Sequence, residues 1–257
     1  MPLDPFVLLL VLVGPFVGSF LGVLADRLPR GGGVILGHSE CRSCQFRLGP
    51  RDLIPVLSYA MNRGKCRHCG ATIPPWLLYT EIAATGLAVL AALSGDTPVQ
   101  AWSYAVFLWL LLALIVTDLT TFRLPDLLTG ALFFVALWLA LLPGGVGPES
   151  ALIGGLAGAG SFWLLRHMYK RLRKREGMGL GDVKLMAGLG AHAGYEDLPL
   201  MVLGAALMGL GASLLMRQPQ PNDPAHVPIG QRALPFGAAL CLATALLWIW
   251  RVSELIG

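Results

Sequence analysis

Charge is what this sequence has least of. Asp, Glu, Lys and Arg make up 13% of its 257 residues, about half the share of an ordinary soluble domain, which is roughly 25%. With 55% hydrophobic residues and a mean hydropathy of +0.67, that shortage excludes both a soluble globule and a disordered chain. The excess positive charge is only +4, too small to indicate a nucleic-acid partner, and none is expected. Cysteine is sparse as well, five in all, so no dense disulfide framework holds the chain. A basic stretch ahead of the first apolar run is missing. The run continues through Gly18-Ser19-Phe20-Leu21 without a small-residue cleavage site. It is therefore expected to stay as a membrane helix rather than leave as a signal peptide.

Apolar runs, by contrast, are abundant. A transmembrane helix needs about 20 mostly apolar residues. Runs near that length are Pro5–Ala25, Trp76–Leu93, Trp102–Thr117, Leu127–Leu142, Ala151–Leu165, Pro199–Met216 and Ala233–Trp250. An eighth, Val183–Gly194, is short and reaches useful length only with the glycine-rich stretch before it. The expected fold is an all-α polytopic membrane protein of about eight transmembrane helices, with the lipid bilayer as its surroundings. Seventeen Lys and Arg fall in alternate connections and none in the connections between them. By the positive-inside rule the basic loops are cytoplasmic and both chain ends lie outside.

Fifteen residues are acidic, and most lie in loops. Asp118 ends the third apolar run. Asp182 begins the sixth, after three glycines at alternate positions, Gly177, Gly179 and Gly181. An ionisable group at the edge of hydrocarbon is costly and faces a cavity or a partner. The third run travels inward and the sixth outward, so both carboxylates fall at the cytoplasmic end. Two carboxylates brought close share one proton, which is how an aspartic protease activates water. An N-cap role is open for Asp182, although three glycines exceed what a cap needs. Asp126 reads as the N-cap of the fourth segment. For Glu81, one turn into the second segment, a structural hydrogen bond and a place at a cofactor site are both open.

The connection 26–75 carries Cys41-Arg42-Ser43-Cys44 and Cys66-Arg67-His68-Cys69, with 21 residues between the pairs. Two such pairs supply four thiolates in a tetrahedron, the preferred structural zinc site. A cytoplasmic setting argues against disulfides. So long a loop with few large apolar residues draws its stability from the metal. His68 lies inside a knuckle and is expected in solvent, while Cys241 reads as a small core residue. The basic run Arg166–Arg175 reads as an anchor on anionic lipid, with contact to an acidic substrate region as the other possibility. Gly154, Gly155, Gly158 and Gly160 are expected to let a neighbouring helix approach closely.

Taken together, these motifs resemble the type IV prepilin peptidases over most of the chain. The resemblance rests on Gly18-Ser19-Phe20-Leu21 with Arg27-Leu28-Pro29, both cysteine pairs, and Ile54-Pro55-Val56-Leu57-Ser58-Tyr59. It continues through Arg63-Gly64-Lys65-Cys66-Arg67, Asp118 with Leu124-Pro125-Asp126, Gly179-Leu180-Gly181-Asp182-Val183-Lys184-Leu185, and Leu234-Pro235-Phe236-Gly237. Gly-x-Gly-Asp alone is a weak signal; the order and spacing of the set are specific. There are departures from the family pattern at Gly22, Arg42, Pro75-Trp76 and Thr117.

The resemblance implies cleavage of a basic leader from prepilins and pseudopilins, after a glycine and before a hydrophobic helix, at the cytoplasmic side of a bacterial inner membrane. Such enzymes serve type IV pili and type II secretion. It implies Asp118 and Asp182 as the catalytic pair, with Gly179 and Gly181 as support. It also implies N-methylation of the new amino terminus with S-adenosylmethionine, with no residues assigned to that cofactor. The domains expected are a first transmembrane helix at 1–25, a four-cysteine zinc loop tied to methyl transfer at 26–75, and the peptidase at 76–257. Cleavage without methylation is the nearest rival. A proton- or cation-coupled transporter and a docking scaffold are the rivals from other classes.

Overall fold

The computed structural model describes residues 4–28, 38–174, 177–215 and 235–256. Arg30, Arg175, Arg217 and Arg232 of the basic connections, and Pro29 and Leu234 of the quoted motifs, lie outside the described residues. The helices are α1 (Pro5–Arg27), α2 (Leu57–Met61), α3 (Pro75–Ser94), α4 (Pro98–Thr121), α5 (Asp126–Leu141), α6 (Pro148–Arg173), α7 (Leu180–Leu215) and α8 (Phe236–Ile256). A single 3-10 turn, Pro50–Asp52, precedes α2, and among the described residues there are only isolated β-bridges. Among the described residues, five helices, α1, α3, α4, α7 and α8, are long and apolar enough to cross a membrane. The apolar α5 is shorter, at 16 residues, and α6 ends in a basic last turn. The chain is an all-α, multi-pass membrane protein.

Two compact units divide it, Met1–Val116 and Thr117–Gly257, with the boundary inside α4. In the first unit, Asp4 caps α1 by accepting from Phe6 N at 2.9 Å, with Pro5 as the first helical residue. Gly14, Gly18 and Gly22 recur every fourth residue along α1, and a Cβ at Gly18 would sit 2.5 Å from Glu81 Cα. This small-residue stripe brings α1 and α3 backbone to backbone. Trp102 Nε1 donates to Phe6 O at 3.1 Å, and the buried Trp109 Nε1 to Ala84 O at 2.9 Å.

In the second unit, α7 packs on α5, α6 and α8. A Cβ at Gly154 would collide with the carbonyl oxygen of Gly190, and one at Gly190 with that of Gly154. Gly158 and Gly155 meet the carbonyls of Met186 and Ala187 in the same seam. The close approach expected of the α6 glycines therefore has α7 as its partner, and α7 contributes a glycine of its own. Gly160 is the exception: nothing lies within 4 Å of its Cβ position, because it falls on another face of the helix. Gly190→Val should overpack the seam at a cost of about 1–3 kcal/mol or more, whereas Gly160→Ala should be near neutral. Thermal unfolding of both variants in detergent checks this; equal midpoints would contradict the seam.

The apolar segments expected at 183–194 and 199–216 are two helices joined across a kink, and α7 comprises both. At 36 residues and 1.5 Å per residue, α7 would span about 54 Å if straight, far more than a hydrocarbon core of about 30 Å. It breaks at Gly194, whose φ of 72° and ψ of 174° are open only to glycine. Arg251 of α8 closes the break. It donates to the carbonyls of His192, at 2.9 Å, and Ala193, and pairs with Asp197 at 2.5 Å. Carbonyls freed at a kink within a membrane need such partners. This accounts for one of the two basic residues that fall outside the connecting loops.

Candidate active site and metal site

Asp118 stands in the last turn of α4 and is only 6% exposed. The turn ends where Phe122 takes a positive φ of 53° and its N–H returns to Asp118 O at 3.0 Å. The carboxylate points at the start of α8, where Asp118 Oδ2 accepts from Ala238 N at 2.8 Å, with the Gly237 amide alongside. The first amides of a helix have no partner within it and carry partial positive charge, so an acidic side chain from elsewhere completes that end. Gly237 allows the approach: a Cβ there would lie 3.1 Å from Asp118 Oδ2 and 3.0 Å from Leu124 Cδ1.

Asp182 is half-buried in the first turn of α7 and faces back to the Gly179 amide. That geometry is the N3 arm of a capping box, so Asp182 is the third helical residue and not the N-cap. Gly181 lies on the other side: its Cβ position is 3.1 Å from Leu124 Cβ. Leu124 thus touches both the glycine loop before α7 and the glycine that opens α8. Asp118 and Asp182 lie within electrostatic range of each other, and the fully buried Cys241 lies within range of both. α6 holds the glycine loop from behind. Arg166 Nε donates to Met178 O at 3.1 Å, and the Tyr169 ring fills the space a Gly177 side chain would need. Arg166 therefore turns onto the loop instead of serving only as a lipid anchor.

Asp126 is not the N-cap of α5. Pro125 occupies that position without a side-chain hydrogen bond, and Asp126 is the first helical residue. Its carboxylate, 74% exposed, pairs with Lys184 Nζ at 2.7 Å. Proline's fixed φ starts the helix one residue earlier than an acidic cap would. Sequence reasoning named Leu124 and Gly237 only within motifs, without a place at the site, and the Ala238 amide not at all. Gly237, two residues into a helix where glycine is disfavoured, was the available signal.

In the first unit, the four thiols of Cys41, Cys44, Cys66 and Cys69 lie within 4.8 Å of one another. Two knuckles of the same design present them, offset by 25 residues. Cys41 N donates to Phe46 O and Cys66 N to Ala71 O. Gln45 N and Gly70 N return to Cys41 O and Cys66 O, with positive φ at both. Bridges Glu40–Arg47 and Lys65–Thr72 close the two loops. The Cys44 and Ser43 amides bring the Cys41 thiol down to about 6, so it is mostly thiolate at neutral pH. Four sulfurs so close together fit one tetrahedral metal ion. His68 is outside the set and stacks on Phe46 at 3.4 Å between ring centroids. Glu81 accepts from Val56 N at 2.7 Å. Two departures from the family pattern meet here, with the Arg42 guanidinium 5.6 Å over the Trp76 ring.

Comparison with known proteins finds matches in both parts of the chain. Residues 12–94 match the Bacterial Peptidase A24 N-terminal domain, and residues 105–214 match the Type IV leader peptidase family. A prepilin leader peptidase/N-methyltransferase of Dichelobacter nodosus is 35% identical over 211 residues, covering 80% of this chain and 74% of the relative. Relatives of the same name are 33% identical in Pseudomonas aeruginosa, over 95% of this chain and 90% of theirs, and 33% identical in Aeromonas hydrophila, over 93% and 90%. No solved structure matches. With its two halves matched in order and relatives covered nearly end to end, the chain belongs to the type IV leader peptidase family.

Proposed function

We propose that this protein removes the basic leader from prepilins and pseudopilins, using Asp118 and Asp182, and then N-methylates the exposed amino terminus. The observation that carries the cleavage is the pair itself: two carboxylates 64 positions apart in sequence, in one compact unit, where Leu124 packs against both Gly181, next to Asp182, and Gly237, beside Asp118 Oδ2. One, ionised, takes a proton from water as its oxygen attacks the scissile carbonyl. The other, protonated, donates to the carbonyl oxygen, and the proton then passes to the leaving amine. Ala238 N–H fixes Asp118 Oδ2, the missing side chain at Gly181 makes room for Leu124, and Gly179 lets substrate backbone come close to Asp182. The strong bias of Lys and Arg to alternate loops supports an inner-membrane setting, with both aspartates near the cytoplasmic face.

Zinc is the metal proposed for Cys41, Cys44, Cys66 and Cys69. The Cys41–Cys69 sulfur separation is 3.8 Å, and Zn–S bonds of about 2.3 Å in a tetrahedron give S–S edges of about 3.8 Å. The ion would hold the loop 26–75, which serves methyl transfer, while the peptidase lies within 76–257. S-adenosylmethionine, when bound, supplies a sulfonium-activated methyl group. Mass spectrometry of a prepilin incubated with the purified protein tests the whole proposal. Loss of the leader, with one methyl added only when S-adenosylmethionine is present, is the expected result. Leader loss without methyl would leave a cleavage-only enzyme, and an intact prepilin would remove the proposal.

A further inference from the structure

The first unit contains a cavity of about 420 Å³ between α1, α3 and the metal knuckles, within the range of small-molecule sites, about 300–1,000 Å³. Val23, Leu77 and Leu78 give it apolar lining, and Asp26, Arg42 and Glu81 reach it with charge. Gly22 also lines it, and a Cβ there would lie 2.9 Å from Leu77 Cδ2, so a side chain at this point would displace the tip of Leu77. Its lining residues include four carboxylates, Asp26, Glu40, Asp52 and Glu81, against two guanidiniums, Arg27 and Arg42, and Asp52 is paired from outside the lining by Arg67 at 3.3 Å, which leaves one carboxylate in excess. That balance disfavours a phosphate-like anion and favours a cation.

We propose that this cavity is the S-adenosylmethionine site, a proposal that rests on the methyl-transfer activity above. Three features fit that ligand's chemistry. Asp26 and Arg42, paired at 3.2 Å, offer one anion and one cation to an amino-acid zwitterion. Glu81 is held rigidly: its Oε2 accepts from Val56 N, the centre of a γ-turn in which Val56 has φ 60° and Leu57 N returns to Pro55 O at 2.6 Å. A carboxylate has about four acceptor positions, so Glu81 retains capacity for the ribose hydroxyls. The net negative lining prefers the sulfonium over the neutral thioether left after transfer, which favours exchange of product for fresh cofactor.

Equilibrium dialysis of tritiated S-adenosylmethionine against the full-length protein in detergent tests this without reference to activity. Glu81→Gln keeps an oxygen for Val56 N and removes the charge. It should weaken binding by about tenfold or more, the scale of a lost hydrogen bond to a charged group. Asp26→Asn should weaken it as well, and ultraviolet cross-linking of the wild-type protein should label peptides from residues 19–81. Zinc content and melting temperature serve as the check on folding. Undiminished binding by both variants, with label recovered outside those peptides, would overturn the site while leaving methylation intact. No binding by the wild-type protein, together with no methyl group on the product, would remove the methylation activity and this site with it.

Discussion

Asp118→Asn and Asp182→Asn are each expected to lower leader removal by a factor of about 10³ or more, within the range attributed to positioned acids and bases. The effect should be nearly as large for either single variant as for both. Two groups that hold one proton between them act as a unit, and neither half titrates usefully alone. Asparagine is close in shape to aspartate, and its carbonyl oxygen can still accept from Ala238 N, so the start of α8 keeps its partner. Prepilin processing followed by mass spectrometry, with far-ultraviolet circular dichroism as the check on helix content, measures this. Normal processing by either variant would end the assignment. Asp126→Asn is the contrast. Its ion pair with Lys184 is exposed, such pairs contribute about 0–1 kcal/mol, and cleavage should change by no more than severalfold.

Taking the metal away should produce the second large effect, and a different one. Of the described hydrophobic residues between 38 and 74, only Cys66 is buried. The segment has one 3-10 turn and one five-residue helix, so it has no core to fall back on. Binding of structural zinc supplies about 10–16 kcal/mol in small metal-folded peptides, and that energy is folding energy. Chelation, or Cys66→Ser, should therefore leave the knuckles open to protease and abolish methylation and S-adenosylmethionine binding. Leader cleavage should persist, because both aspartates belong to the other compact unit. Limited proteolysis alongside metal analysis reads the first outcome. Knuckles that stay resistant after the metal is gone would show that the loop folds without it.

What the sequence determined by itself was whatever depends on composition and short spacing. Scarce charge and long apolar runs set the membrane class, because hydrocarbon tolerates little else. Two Cys-x-x-Cys pairs set the thiol cluster, because each knuckle is closed by hydrogen bonds within a few residues. The direction of successive segments is what led to the expectation that Asp118 and Asp182 share one end. The tertiary structure alone decided the rest, because it depends on contacts between distant residues. Hydropathy separated the two halves of α7, but only the backbone at Gly194 and the reach of Arg251 show how the two are joined. Asp126 looked like a cap until Pro125 took that place. Asp118 meets an amide 120 positions further along the chain, and no local pattern encodes how closely a carboxylate approaches the beginning of another helix. That approach depends on packing, through Leu124 and the missing side chain at Gly237.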